Sequence, residues 1–391
     1  MTLACLPPVA GASSYSVTNT SDSGEGSLRA AIAAANGHSG EDGVQIEVSG
    51  TIALATELPS IQEDLGIVGP GADNLTVRRS SSAAPFRIFE FLAAADGSLT
   101  GLTVADGIAA TGGGISNESG SLTLTRVAVV GNEATQAFLS SVLPDGGGIY
   151  SLGPLTLSES VVSGNRATAS EGIFETKARG GGIFALGELT IDRSTVSGNV
   201  AEAITEDGEI FSRGGGIYAA QVKIANSTIS GNSALAEGGT APEALGGGFL
   251  ATGFGHLTSV TVTGNSASAT QAAGANLHLQ TSGLLRNSIV SAPGGSTESC
   301  SGFPGGSGGF NLDEDGSCGL ETATDLAEVV AGLDPLLKLN GGPTPTHALL
   351  AGSPALDRGS AFGSPIDQRG LPRPSDFASI GNAEGGDGSD I

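Results

Sequence analysis

Charged side chains recur at one position of a repeated sequence unit, five residues before a Gly-Asn step. In three successive units this position holds Arg126, Glu159 and Arg193, and Asp192 lies beside the last of them. Hydrolysis of a glycan requires two carboxyl groups roughly 5 to 10 Å apart, and a lyase requires acidic calcium ligands beside a basic residue. The simpler interpretation is an exposed charge ladder, in which each pair contributes at most about 1 kcal/mol. We therefore assign no catalytic residue and treat Glu159 and Arg193 as candidates for a ligand-binding face.

Acidic residues are also frequent in the variable segments that separate successive repeats. The candidate ligand residues in these segments are Glu171, Glu175, Glu206 and Asp207. Because the segments leave a stack of repeats from the same side, they would form one continuous face. The functional interpretation is a surface for a ligand or a cation, and the simpler one is a set of solvated loops.

Asp313 and Asp315 are the candidate metal ligands, since they alternate with Glu314 as acids do in a short calcium loop. The twelve-residue EF-hand pattern does not continue beyond them. Calcium is therefore a candidate, and no other cofactor is expected. The four histidines are far apart in the repeat register, which predicts no metal cluster among them. Cys300 and Cys318 lie in one loop and could close a disulfide of modest size.

The candidate residues are carried by a repeat of nearly constant length. Successive Gly-Asn steps are 33, 34, 33 and 33 residues apart, and a triple glycine recurs with nearly the same spacing. The glycines of these steps are Gly131, Gly164, Gly198, Gly231 and Gly264. A fixed period of this size is typical of a stacked repeat, in which each unit buries its apolar face against its neighbours.

Apolar residues within each repeat predict strands rather than helices. Positions nine and seven before the Gly-Asn glycine share one strand face by the period of two, as do positions four and two. The buried positions are odd in the first pair and even in the second, so the alternation of core-facing residues shifts by one between them. This shift predicts a bend near the charged ladder. Columns of similar residues, one per unit, fit strands that pair in parallel with the next coil about 4.8 Å away. The expected fold is all-β, a right-handed single-stranded parallel β-helix, since parallel crossovers are nearly always right-handed. The asparagines that follow the glycines would stack as a hydrogen-bonded ladder.

The repeats divide the chain into four parts. The expected parts are a disordered lead (residues 1–12), an N-terminal cap with a short helix (13–43), the β-helix with regular repeats from residue 112 (44–290), and an irregular C-terminal coil and cap rich in Gly, Pro and Asp (291–391). Ser27 is the expected N-cap of the helix, which is rich in alanine and would cover the apolar end of the first coil. The C-terminal part would cover the far end of the stack.

The composition limits the partners that we expect. The chain has 16 Lys and Arg against 40 Asp and Glu, a formal net charge of −24. Such a surface repels nucleic acids and anionic membranes, so neither is expected to bind. No stretch of the sequence is long and apolar enough to span a membrane as a helix.

Both ends of the chain resemble known bacterial surface proteins. The segment SLRAAIAAAN, followed by VQIEVSGTIAL, resembles the N-terminal module named for its Cys-Ser-Leu-Arg-Glu-Ala motif, with Gly26 and Ala30 in place of the Cys and the Glu. The segments GGFNLDEDGSCGL, LDPLLKLNGGPTPTHALLAGSPALDRG and PIDQRGLPRP resemble the C-terminal region of choice-of-anchor Q surface proteins. The coils between them, with their GGGI and SGN motifs, resemble those proteins and the repeats of polymorphic outer-membrane proteins.

The resemblance implies a secreted or surface-displayed right-handed β-helix from a bacterium, and it supplies no catalytic residues. We expect an extracellular or outer-surface monomer with a structural or adhesive role, whose partner is a polysaccharide or a surface protein. The alternative is a polysaccharide lyase or glycoside hydrolase of the pectate-lyase-like class. At least three carboxylates beside an Arg or Lys in one cleft would favour the enzyme. No charged and apolar signal segment precedes Cys5, so a signal peptide is expected to be absent from this chain.

Overall fold

The computed structural model describes residues 12–92, 95–135, 143–170, 175–291, 294–295, 297–302 and 305–391. Within these residues the chain is an all-β protein with long parallel sheets that fit a β-solenoid, and it has one short helix near the N-terminus. No helix in this part of the chain is long and apolar enough to cross a membrane. Residues 1–11 of the expected lead lie outside the described residues, and so does Glu171.

The short helix (Leu28–Ala35) begins where the sequence predicts it. The Ser27 hydroxyl accepts a hydrogen bond of 3.2 Å from the Ala30 amide, which satisfies one of the free donors of the first turn. Leu28 and Ile32 are fully buried and belong to the same apolar core as the first strands. The predicted N-cap is therefore confirmed, and the helix contributes apolar side chains to the first coils.

A sheet of 26 strands runs through the described part of the chain. The strands before the regular repeats are Ser14–Val17, Asp42–Ile46, Gly50–Leu54, Leu65–Val68, Leu75–Arg79, Phe89–Phe91, Gly97–Thr100 and Thr103–Ala105. Those of the regular repeats are Ile115–Asn117, Leu122–Thr125, Ala128–Val130, Ile149–Ser151, Leu155–Ser158, Val161–Ser163, Ile183–Asp192, Thr195–Ser197, Ile217–Ser230, Phe249–Ala251, Phe254–Thr263, Leu277–Leu279, Ser282–Arg286 and Ile289–Ser291. The last strands are Cys300–Ser301, Gly306–Ser307, Leu312–Asp313 and Leu326–Ala327. We call the coils built from this sheet the stack.

The strands of the stack pair in parallel, and their register follows the sequence repeat. Leu122 pairs with Leu155, which in turn pairs with Leu189 of the next coil. Residues of equal repeat position thus form columns, and the apolar columns are buried in one continuous core. One such column consists of Val129, Val162, Val196, Ile229 and Val262. Each coil therefore buries its apolar side chains against the coils before and after it.

The bend that the sequence predicts is present in each regular coil. Its residue has a left-handed backbone, with φ of 53° at Arg126, 49° at Glu159, 47° at Arg193, 45° at Asn226 and 56° at Ser259. Residues other than glycine adopt such angles only at a cost in free energy. Before the bend one set of alternate residues faces the core, and after it the other set does. The bend therefore explains why the buried positions change from odd to even along the sequence repeat.

Two buried polar ladders hold the corners of successive coils. The side-chain amide of Asn132 donates to Oδ1 of Asn165 over 3.0 Å, and the same bond continues through Asn199, Asn232 and Asn265 at 2.9 Å. The predicted asparagine ladder is therefore confirmed. A second ladder consists of serine hydroxyls that accept hydrogen bonds from backbone amides of the preceding coil, namely Ser160, Ser194 and Ser227. Both ladders satisfy polar groups that burial would otherwise leave unpaired.

The variable segments form a second sheet of eight strands, where the simpler interpretation of the sequence places solvated loops. Its strands are Ile108–Ala109, Glu133–Thr135, Arg166–Ser170, Glu175–Arg179, Val200–Arg213, Ser233–Leu245, Ser266–Ser268 and Gln271–Ala273. We call the four strands from Arg166 to Leu245 the blade. Alternate blade residues are buried alanines, such as Ala201 and Ala203, which pack against one another. The Ser212 hydroxyl donates to the Ala201 carbonyl over 2.8 Å, so the segment Val200–Arg213 folds back on itself.

The irregular C-terminal tail, which the sequence places at the far end of the stack, also lies against its side. The Thr344 hydroxyl donates to the Arg193 carbonyl over 3.0 Å, and the Thr195 hydroxyl donates to the Pro345 carbonyl over 2.7 Å. Gln368 lies beside them and is buried. Side-chain hydrogen bonds therefore attach the tail to coils in the middle of the stack.

Candidate functional site

The charged column at the bend forms the ladder that the sequence suggests. Glu159 contacts the guanidinium of Arg193 on one side, and its second oxygen lies 3.9 Å from Nε of Arg126 on the other. Arg193 also pairs with Asp192 over 3.1 Å, and Asn226 donates to the same carboxylate over 3.3 Å. Both carboxylates of the ladder are therefore engaged by cations or amides. This arrangement stabilises the stack and leaves neither carboxylate as an unpaired acid or base.

A cavity of about 460 Å³ lies beside this ladder. Its walls include Arg126 and Glu159, the turn residues Asp73 and Asn74, and Pro343 of the tail. Two carboxylates and one arginine are a weaker set than the three carboxylates with a base that the enzyme would require. The cavity can accept a polar ligand, and its arginine already faces Glu159.

The acidic residues of the variable segments lie on the blade, away from the ladder. Glu175 pairs with Lys177 near the stack, whereas Glu206 and Asp207 are exposed at the turn of the strand Val200–Arg213. Glu171 lies outside the described residues. The candidate ligand residues are thus divided between two surfaces, since the ladder belongs to the main sheet and the blade to the second one.

Aromatic residues connect the blade to the stack, and sequence reasoning did not identify them. The rings of Tyr150, Phe184 and Tyr218 stack in parallel, with centroids 5.3 and 5.2 Å apart. The guanidinium of Arg179 lies 4.7 Å from the centroid of Phe184 and is held by both oxygens of Asp145, at 2.8 and 2.7 Å. Stacked rings and a bidentate ion pair of this kind restrict motion at the base of the blade.

The signal for this aromatic column is present in the sequence. Each ring directly follows a triple glycine and one apolar residue, as in GGGIY, GGGIF and GGGIY. Residues of equal repeat position stack, so three aromatic residues at one position predict a ring column. The blade partner Arg179 has a counterpart in Arg213, which also directly precedes a triple glycine and pairs with it in register. Only the folded chain, however, shows that Arg179 lies over the rings.

Asp313 and Asp315 form an acidic pair next to a disulfide. Cys300 and Cys318 are joined, with Cα atoms 4.9 Å apart. The Cys318 amide donates to Oδ2 of Asp313 over 2.7 Å, but Oδ1 of this fully buried side chain has no hydrogen-bond donor. Burial raises the pKa of Asp313 to about 6, and the charge of Asp315 adds to this effect. A shared proton between the two carboxyl groups would satisfy the unpaired oxygen.

Calcium is the other group that could satisfy Asp313. Asp315 already accepts hydrogen bonds from the Ser299 amide, at 2.8 Å, and from the Ser317 hydroxyl, at 2.6 Å. Calcium takes six to eight oxygen ligands, whereas the described residues contain no group of three or more His, Cys, Asp or Glu that could hold a metal ion. The calcium site stays a prediction, and the donors around Asp315 fit a proton better than a cation.

Comparisons with known proteins add little to this description. No model of a protein family matches the chain, and no curated protein matches it. One similar solved structure is ORF18 of Geobacillus virus E2, with 9% sequence identity and a TM-score of 0.35. The match covers 75% of this chain and 60% of the viral protein. A likeness of this size carries no argument about function.

Proposed function

We propose that this chain is a secreted or surface-exposed bacterial module that binds a polysaccharide or a surface protein through its blade. In this proposal the stack is a right-handed, single-stranded parallel β-helix that acts as a rigid, monomeric support. The handedness follows from the strong preference of parallel crossovers. The resemblance of both chain ends to choice-of-anchor Q and related surface proteins supports the same role.

The observation that carries the proposal is the regular, well-packed structure of the blade. Its strands pair along their length, its interior is packed with alanine, and Arg179 with Asp145 fixes its base on the aromatic column. Its tip exposes Ile204, with 41% of its surface accessible, beside Glu206 and Asp207. An apolar side chain beside charged ones on a rigid support costs little conformational entropy when a partner binds.

The disulfide supports a location outside the cytoplasm. Cys300 and Cys318 are both buried and bonded. Disulfides persist in oxidising compartments and are rare in the reducing cytosol. The acidic surface is compatible with such a location because a net charge far from zero keeps a protein soluble.

The enzyme alternative, a polysaccharide lyase or glycoside hydrolase, requires carboxylates that are free to react. In the ladder, Glu159 and Asp192 are both engaged in ion pairs. The cavity beside the ladder contains two carboxylates and one arginine. These observations favour the adhesive module, and detection of cleavage products would restore the alternative.

Charge reversal at the blade tip tests the proposal. The double substitution Glu206→Lys with Asp207→Lys changes two exposed side chains and should abolish or strongly weaken binding to immobilised polysaccharides or intact cells. Glu41→Lys with Glu63→Lys is the matched control, because these exposed acids lie in the N-terminal coils and produce the same change of net charge. Equal loss in both variants would show a general charge effect and would contradict a blade-specific site.

A further inference from the structure

A second cavity of about 460 Å³ lies between the C-terminal tail and the side of the stack. We call it the tail cavity. Hydroxyl-bearing residues of the stack, including Thr228, Ser259 and Thr261, form one wall, and tail residues, including Arg373 and Asp390, form the other. Its volume lies within the range of ligand pockets, roughly 300 to 1,000 Å³.

Arg373 is the cation of this cavity that lacks a carboxylate partner among the described residues. Its side chain makes one hydrogen bond, to the Ser259 hydroxyl at 2.9 Å. Desolvation lowers the pKa of its guanidinium, and the more distant charges of Asp367 and Asp390 offset this only in part. A guanidinium has five N–H donors, so most of those on Arg373 are unused. A carboxylate is the ligand group that fits this donor set best, because it can accept two parallel hydrogen bonds.

Asp367, Arg369 and His347 also line the tail cavity, and each is already engaged by partners within the protein. Asp367 pairs with Arg369 at 2.6 Å and accepts the Leu371 amide at 2.9 Å. Both ring nitrogens of His347 are hydrogen-bonded, one to the Ser230 hydroxyl and one to a backbone carbonyl. Neither Asp367 nor His347 forms an ion pair or a hydrogen bond with Arg373 within the described part of the chain.

Two further polar groups in the tail cavity suit a ligand with hydroxyl groups. Asp390 accepts the Asp357 amide through Oδ1, and within the described part of the chain its Oδ2 has no hydrogen-bond partner. The Thr261 hydroxyl is likewise without a partner there. At the rim, Leu371 and Phe377 are 45% and 48% exposed and offer an apolar surface. One cation, two hydroxyl-binding groups and an apolar rim match a sugar that carries a carboxylate.

We propose that the tail cavity binds an acidic sugar residue whose carboxylate pairs with the guanidinium of Arg373. The ring hydroxyls would reach Asp390 and Thr261, and the C–H groups of the ring would contact Phe377. This site lies on the tail, and its existence does not depend on the role proposed for the blade.

Calorimetry with galacturonate and galactose tests the site, because the two sugars differ in the carboxylate. Galacturonate should bind at least about tenfold more tightly than galactose, as expected for charge-assisted hydrogen bonds. Trigalacturonate is the second acidic probe. If the trimer binds more tightly than galacturonate, the natural ligand is a residue of a polymer. If the two affinities are equal, the natural ligand is the free sugar. Equal affinities for galacturonate and galactose, or no saturable binding of either acidic probe, would overturn the proposal.

Substitution of Arg373 locates the binding. Arg373→Gln should weaken galacturonate binding by about tenfold to a hundredfold, whereas Arg126→Gln, in the cavity beside the ladder, should leave it unchanged. Unchanged binding in Arg373→Gln would contradict the site. Hydrogen exchange of the unaltered protein provides a measurement that does not depend on the variant folding. Galacturonate should protect the backbone around residues 257–262 and 367–377, and protection elsewhere alone would also contradict the site.

Discussion

The Thr228 hydroxyl donates a hydrogen bond of 2.8 Å to Oε1 of Gln368, although 140 residues separate them in the sequence. The side-chain amide of Gln368 donates in turn to the Ser194 carbonyl at 3.2 Å and to the Thr344 hydroxyl at 3.0 Å. One buried side chain thus joins two coils of the stack to two parts of the tail. This junction forms one end of the tail cavity and accounts for the position of the tail against the stack.

Gln368→Ala should detach the tail from the stack. The substitution leaves the buried Thr228 hydroxyl without its acceptor and removes one of the two hydrogen bonds to the Ser194 carbonyl, which costs roughly 1 to 3 kcal/mol in free energy of unfolding. Chemical denaturation measures this loss, and hydrogen exchange should increase between residues 343 and 373. Gln62→Ala, at an exposed position, is the matched control. Equal denaturation midpoints for both variants would show that Gln368 does not hold the tail.

Asn199→Ala should interrupt the asparagine ladder in the middle of the stack. Asn199 is fully buried, receives a hydrogen bond from Asn165 and donates one to Asn232, both at 2.9 Å. Its removal leaves the buried Asn165 amide without its acceptor and takes one of two hydrogen bonds from Oδ1 of Asn232, so the free energy of unfolding should fall by roughly 2 kcal/mol or more. Thermal unfolding measures the effect. The exposed Asn382→Ala should unfold at the temperature of the unaltered protein, and a similar result for Asn199→Ala would contradict a stabilising ladder.

Asp313→Asn should remove a pH dependence of stability. The pKa of Asp313 is raised from 3.8 to about 6 in the folded protein, so the folded state binds the proton more tightly than the unfolded state. Its stabilising contribution is complete below pH 3.8 and is lost as the pH rises through about 6. The loss is on the order of 3 kcal/mol, and an asparagine, which carries no charge, should avoid it.

Urea denaturation between pH 4 and 8 measures this dependence. The Asn variant should be more stable than the unaltered protein at pH 8 and similar to it at pH 4, whereas the exposed Asp207→Asn should show no such pattern. A variant that is less stable at pH 8 would contradict the shared proton. A chelator that lowers the melting temperature of the unaltered protein, but not of Asp313→Asn, would instead establish calcium at this pair.

The bend position should discriminate between residue types by their tolerance of a left-handed backbone. Arg126 has φ of 53° and a side chain that is 63% exposed, so little packing is lost when it is replaced. Arg126→Asn should be neutral or stabilising, and Arg126→Val should be less stable than the Asn variant by roughly 1 to 2 kcal/mol. Lys223, equally exposed but within a strand, is the control site, where Val should be tolerated at least as well as Asn. Equal stability of the two Arg126 variants would contradict backbone strain.

Features that repeat along the chain could be predicted from the sequence, because each one appears several times. The spacing of Gly131 and Gly164, the apolar columns, the bend at Glu159 and the asparagine ladder all depend on equal repeat positions. The paired strands of the blade were harder to predict from the sequence. Their pattern is an alternation of alanines, such as Ala201 and Ala203, in segments of variable length.

Contacts of the tail could not be predicted at all. The bonds from Gln368 and Arg373 to the stack join residues more than a hundred positions apart, and each occurs once. A contact that occurs once leaves no periodic pattern, so only the folded chain reveals the tail cavity. The unpaired oxygen of Asp313 is a similar case, because the sequence shows the acid but not its burial.

The central claim is that the chain binds a surface partner without altering it. The most direct test is a screen of the purified protein against a panel of acidic and neutral polysaccharides, with and without calcium, that records binding and cleavage together. The account predicts binding to at least one polysaccharide or to intact cells, with no new reducing or unsaturated ends. Release of such ends by the unaltered protein would contradict it and would establish a lyase or hydrolase.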